Sequence, residues 1–212
     1  MVSGATAAAV ASGLWLLHEG IRVTGPPQPL PPTAAGQPQG GGDGARATAA
    51  ARSPQPDAAP MPPSDPVRIR IPSIRVDAPV TGLGLDPDRH LSTPPVAVKN
   101  LVGWYRDGAS PGAVGNAIAI GHVDTMTGPA VFYLLGLLHP GDLVEVTRRD
   151  HRIAVFTIDA VRVYPKSAFP DTAVYGPTRR SELHLITCGG SYDKRSGYQS
   201  NTVVSAHLTA GR

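Results

Sequence analysis

An all-β domain over residues 66–212 is what this sequence predicts, and three observations lead there. Of its 24 Gly and 23 Pro in 212 residues, many fall before residue 66, whereas regularly spaced β-branched and aromatic residues appear mainly after it. Beyond Pro66 the chain reads as short strand-like runs separated by turn residues, the pattern of a barrel or a sandwich. Helical periodicity is weak and confined to short pieces. About 145 residues are enough for one ordinary hydrophobic core.

Residues 67–71 (VRIRI) alternate apolar side chains with Arg, as a half-buried strand does. Pro72-Ser73 interrupts that run, and residues 74–80 supply a second short strand. Further strands are expected at residues 116–121 (NAIAIG), 142–148 (DLVEVTR), 152–163 (RIAVFTIDAVRV), 182–187 (ELHLIT) and 202–208 (TVVSAHL). The exception is residues 129–138 (PAVFYLLGLL), expected as a helix of one or two turns before the turn at His139-Pro140-Gly141-Asp142. There is no internal repeat and no glycine-rich phosphate loop.

Residues 1–24 contain an apolar stretch, 5–17, that is shorter than the ~20 residues of a membrane-spanning helix. Its length fits the apolar region of a secretory signal or signal anchor, although no Lys or Arg precedes it. An ordinary Ala-rich helix is the alternative. Residues 25–65 are rich in Pro, Gly, Ala and Gln with hardly a large apolar side chain. Such a segment cannot bury enough surface to offset its chain entropy, so it is expected to be a disordered, partly polyproline stalk. A proline-rich ligand for a partner domain is the competing reading. The net charge of +3 suits weak attraction to an anionic membrane or envelope. No run of Lys and Arg alternates with aromatic residues, which argues against nucleic-acid binding.

Cys188 is the single cysteine, so it is a free thiol, a metal ligand or half of an intermolecular bridge. No cluster of Cys, His or carboxylates near it offers a zinc site, and no acidic cluster argues for Ca²⁺. No metal and no cofactor is therefore expected. Cys188 ends a strand-like run and precedes Gly189-Gly190, a setting that holds a thiol in place while substrate backbone comes close. An inert core cysteine is the competing reading. A nucleophilic thiol needs an imidazole within reach, and His122 stands at a similar strand end, between Gly121 and Val123-Asp124. An oxyanion also needs a donor, either an Arg or backbone N–H groups. The nearest Arg after Cys188 is Arg195, in the loop at residues 191–197.

These residues resemble a known family. Leu185-Ile186-Thr187-Cys188 is similar to the TLxTC-type motif of sortases, and Gly189-Gly190 with Tyr192-Asp193 resembles their actinobacterial class F branch. Gly121-His122-Val123-Asp124 resembles that branch's GHVD segment, and Gly103-Trp104-Tyr105, Ala130-Val131-Phe132 and Gly141-Asp142 agree in order and spacing. The resemblance implies an eight-stranded β-barrel with its active site on the surface. It also implies a cysteine transpeptidase that cleaves an LPxTG-like sorting signal of surface proteins through an acyl-thioester on Cys188. The cleaved protein then passes to an amine of a cell-wall precursor, with His122 as acid and base. Thr187, Gly189 and Asp124 are the substrate contacts it implies. The protein is expected at the cell membrane, held by the N-terminal segment with its barrel outside, or secreted. Sortases carry a catalytic Arg close before the final strand, where this chain has Gln199-Ser200-Asn201-Thr202-Val203. The role then falls to Arg195, to Lys194 or to a backbone donor.

Overall fold

The computed structural model describes residues 25–29 and 56–212. The N-terminal apolar segment and most of the expected stalk lie outside the described residues. Eight strands close into a barrel: β1 (Pro66–Ile71), β2 (Val76–Leu83), β3 (Val102–Tyr105), β4 (Gly115–Ile120), β7 (Leu143–Arg148), β8 (Ile153–Pro165), β9 (Ser181–Asp193) and β10 (Gly197–Gly211). Their order is β1-β2-β3-β4-β9-β10-β8-β7, with β7 pairing back to β1. The β2–β3 and β4–β9 pairs are parallel and the other pairs antiparallel. A separate two-stranded ribbon, β5 (Asp124–Thr125) with β6 (Gly128–Pro129), follows β4.

The period-2 pattern explains this closure, because alternate residues of each strand face one side. Ile69 and Ile71 of β1, Val144 and Val146 of β7, Phe156 and Ile158 of β8, Leu183 and Leu185 of β9, and Val204, Ala206 and Leu208 of β10 fill one interior cluster. Arg148 is buried at the edge of that interior and 1% exposed. Its guanidinium donates to the Pro111 carbonyl at 2.8 Å, to the Pro62 carbonyl and to Asp150 Oδ2 at 2.8 Å. A buried guanidinium is tolerated because its donors are satisfied in this way.

Two expectations change. The stalk expected to run to residue 65 is tied to the barrel from Asp57 onward. Arg180 bonds Asp57 with both Nε and Nη2, the Ala58 N–H donates to the Leu208 carbonyl at 2.9 Å, and Met61 is buried. The Arg180 hydrogen bond holds the Asp57 carboxyl below its usual range. A lone Met among prolines carries no periodicity, so this packing leaves no mark in the sequence. The helix expected at residues 129–138 is only a turn followed by one 3₁₀ turn, Leu135–Leu137. Tertiary partners take the backbone donors here: Val131 N–H bonds the Lys99 carbonyl and Phe132 N–H bonds the His122 carbonyl. The only α-helix among the described residues, α1 (Asp171–Tyr175), lies in the β8–β9 connection.

Candidate active site

β9 presents Cys188 on the outer face of the barrel. Leu183 and Leu185 point into the interior, whereas Ile186 joins Ile118 of β4, Val203 of β10 and Val174 of α1 in a second apolar cluster outside it. Two residues beyond Ile186 on an unbroken register, Cys188 shares that outer face and is half-buried. On β4 the same alternation puts Ala117 and Ala119 inside and Ile118 and Ile120 outside.

The parallel β4–β9 pairing, in which Ile120 is level with Ile186, sets the strand end before His122 beside the strand that carries Cys188. The ladder continues past the strand, since Gly121 N–H bonds the Ile186 carbonyl at 3.2 Å. His122 follows Gly121 directly, and Cys188 lies two residues beyond Ile186. Gly121 must be a glycine, because a Cβ there would lie 2.7 Å from Val131 and from Phe132. His122 Nε2 lies 2.7 Å from the Pro94 carbonyl oxygen. A carbonyl can only accept, so Nε2 carries the proton and Nδ1 is the basic nitrogen of the neutral ring.

Thr187, expected among the substrate contacts, faces the interior instead. It is buried, and its hydroxyl donates to the Gly121 carbonyl at 2.8 Å. Its side chain thus fastens the strand bearing the thiol to the strand end bearing the imidazole. Gly189 has a structural reason of its own, since a Cβ there would sit 2.4 Å from Thr202 Oγ1. Gly190 has φ +75, the left-handed region that favours glycine, at a bulge where β9 and β10 shift register. Asp124 is half-buried and accepts a hydrogen bond from the Tyr198 hydroxyl. Burial, and then that bond, push the Tyr198 phenol well above its usual range, and Tyr133 and Cys188 are close enough to act on it as well. The Tyr198 ring meets Tyr192 edge-on at 5.0 Å.

Arg195 lies in the turn closing the β9–β10 hairpin and is exposed. Its main-chain N–H bonds Asp193 Oδ1, and among the described residues its guanidinium makes no hydrogen bond or ion pair. The residue paired with Cys188 across β10 is Asn201. Pro94, Tyr198 and Asn201 thus stand at the site without having been singled out from the sequence. Only the register reveals them, because their distance along the chain carries no periodic signal.

A groove of about 910 Å³ runs over the outer face of β4, with Ile118 and Ile120 on its floor and Leu91, Tyr105, Val114 and Tyr175 among its walls. Along the chain, His122 is two residues beyond Ile120. Among the described residues no group of His, Cys, Asp or Glu could hold a metal ion.

The closed barrel thus carries a half-buried thiol on β9 and an imidazole just past the end of the neighbouring β4. The family model described as Sortase domain matches residues 69–209, and the chain belongs to the sortase family of cysteine transpeptidases. Similar solved structures include sortase A of Listeria monocytogenes, with a TM-score of 0.52 at 19% identity over 69% of this chain and 89% of that one. Sortase C-1 of Actinomyces oris gives 0.52 at 22% identity, over 69% and 74%. The SrtA sortase of Actinomyces oris gives 0.53 at 18% identity, over 74% and 87%. At these identities they show the fold. No curated protein matches the sequence.

Proposed function

We propose that the protein is a transpeptidase that cleaves an LPxTG-like sorting signal and passes the cleaved protein to an amine of the cell envelope. The observation that carries this reading is the parallel β4–β9 pairing, which sets the strand end before His122 beside the strand that bears Cys188. The apolar floor of Ile118 and Ile120 suits the Leu-Pro portion of such a peptide, leaving its Thr carbonyl at the thiol. Cys188 Sγ passes its proton to His122 Nδ1 as it attacks that carbonyl, the bond to the next residue breaks, and His122 gives that proton to the departing amine. The incoming amine then loses a proton to His122 as it displaces the thiolate and forms the new amide. The GHVD and Cys-Gly-Gly segments favour the class F branch. Residues 1–24 would hold the enzyme at the membrane with its barrel outside. Among the described residues no helix is long and apolar enough to cross a membrane.

The test is mass spectrometry of an LPxTG-like peptide incubated with the full chain. Cleavage between Thr and Gly, a thioester adduct on Cys188 and loss of both in Cys188→Ala are expected. Cleavage retained by Cys188→Ala would sink the proposal. A second reading, a barrel that binds sorting signals without turnover, draws on the unengaged guanidinium of Arg195 in the hairpin turn. Binding of the peptide by the wild-type protein with no adduct would favour it.

A further inference from the structure

We propose that Asn201 is the side-chain donor to the oxyanion formed when Cys188 attacks a carbonyl, a role that the sequence left to Arg195, to Lys194 or to a backbone donor. The inference rests on the reading of Cys188 as nucleophile. β9 and β10 pair without a break from Glu182↔His207 to Gly189↔Ser200, and Cys188 faces Asn201 in that register. Directly opposed residues of an antiparallel pair put their Cβ atoms about 4.5–5.5 Å apart on one face, well within reach of an Asn amide. The face is the outer one, because Val203, two residues along β10, packs outside the barrel with Ile186. On its other side β10 pairs with β8, where Tyr164 lies opposite Asn201. Cys188, Asn201 and Tyr164 therefore form a row across β9, β10 and β8.

Asn201 is also free to donate. It is half-buried, and among the described residues its amide makes no hydrogen bond. The rival donors are engaged or distant. Asp193 is five residues beyond Cys188, about 16 Å of strand at ~3.3 Å per residue, and Arg195 lies further into the turn. Gln199 gives its amide to Ser196 Oγ at 2.8 Å and to the Gly197 carbonyl at 2.7 Å, both within the hairpin. Arg162 of β8 pairs with Val203 rather than Asn201, and its guanidinium lies 3.5 Å from the Tyr164 hydroxyl.

The chemistry needs no further partner. As Sγ bonds to the carbonyl carbon, the C=O π pair moves onto oxygen, and the Asn201 N–H₂ donates to that oxyanion until the leaving group departs. Removing one such donor typically slows acyl transfer by about 10²–10³-fold.

The experiment compares two reactions of Cys188 in the full-length protein. p-Nitrophenyl acetate acylates the thiol through a tetrahedral oxyanion and expels p-nitrophenolate, whereas iodoacetamide alkylates it with no oxyanion. Asn201→Ala and the similarly sized Asn201→Leu are expected to slow acylation by about 10²-fold and to leave alkylation unchanged. Arg195→Ala and Arg162→Ala are expected to change neither. The inference is overturned if the two rates fall together or neither falls in the Asn201 variants. It is equally overturned by selective loss in an arginine variant, or by wild-type protein that is alkylated but not acylated. Because no sorting peptide is used, failure of the sorting-signal reading shows separately, as an uncleaved LPxTG-like peptide beside an acylation rate that still depends on Asn201.

Discussion

The inside of the barrel and the outer face of β4, β9 and β10 are built from the same strands, yet they do different work. On β9, Leu185 is fully buried in the closed interior, while Cys188 is half-buried in the open beside a groove. The interior is apolar apart from groups with fixed partners such as Arg148 and Thr187. The outer face instead keeps a free thiol, an imidazole and an unpaired amide. Alternation along a strand thus assigns stability and chemistry to alternate residues, so the two can be perturbed separately.

Leu185→Ala should break this division most strongly on the interior side. Deleting a buried Leu costs about 2–5 kcal/mol, read as a shifted denaturation midpoint, whereas Cys188→Ala, three residues on, should leave that midpoint unchanged. Equal loss in both would mean that the outer face also supports the fold.

Thr187→Val tests the one inward residue that serves the outer face. Losing its bond to Gly121 should cost about 1–2 kcal/mol. Because that bond fixes the residue before His122, kcat for acyl transfer should fall while KM for the peptide stays the same. A change confined to KM would return Thr187 to the substrate contacts.

The smallest effect belongs to the outer face where it is covered. His184 faces outward but is buried, its Nδ1 is 3.1 Å from Ser205 Oγ, and burial lowers its pKa from the ordinary 6.5. The unfolded chain therefore takes up a proton near pH 6.5 that the folded chain refuses. Stability from this site is complete above that pH and declines as the pH falls below it. Thermal unfolding followed from pH 8 to pH 5 should show the decline, and His184→Phe should flatten it; an unchanged slope would show that His184 takes up its proton as readily in the folded chain as in the unfolded one.

Much of this was legible in the sequence. Alternation marked the strand cores, as at residues 67–71 and 182–187, because a half-buried strand must repeat every second residue. Glycines beside His122 and Cys188 marked the two candidate site residues, and the structure places His122 just past the end of β4 and Cys188 within β9. The packing of Met61 was not legible, since one apolar residue among prolines has no pattern. Nor was the loss of the helix at residues 129–138, where Val131 and Phe132 spend their N–H groups on Lys99 and His122.

By itself the sequence determined the all-β class and the cores of seven of the eight barrel strands, which follow from local patterns of polarity and turn residues. Which strands adjoin, and in what register, was decided only in the folded barrel. That register turns Thr187 inward, holds Arg195 in the hairpin turn and brings Asn201 opposite Cys188, because pairing between strands depends on closing one shared interior rather than on any signal within a single strand.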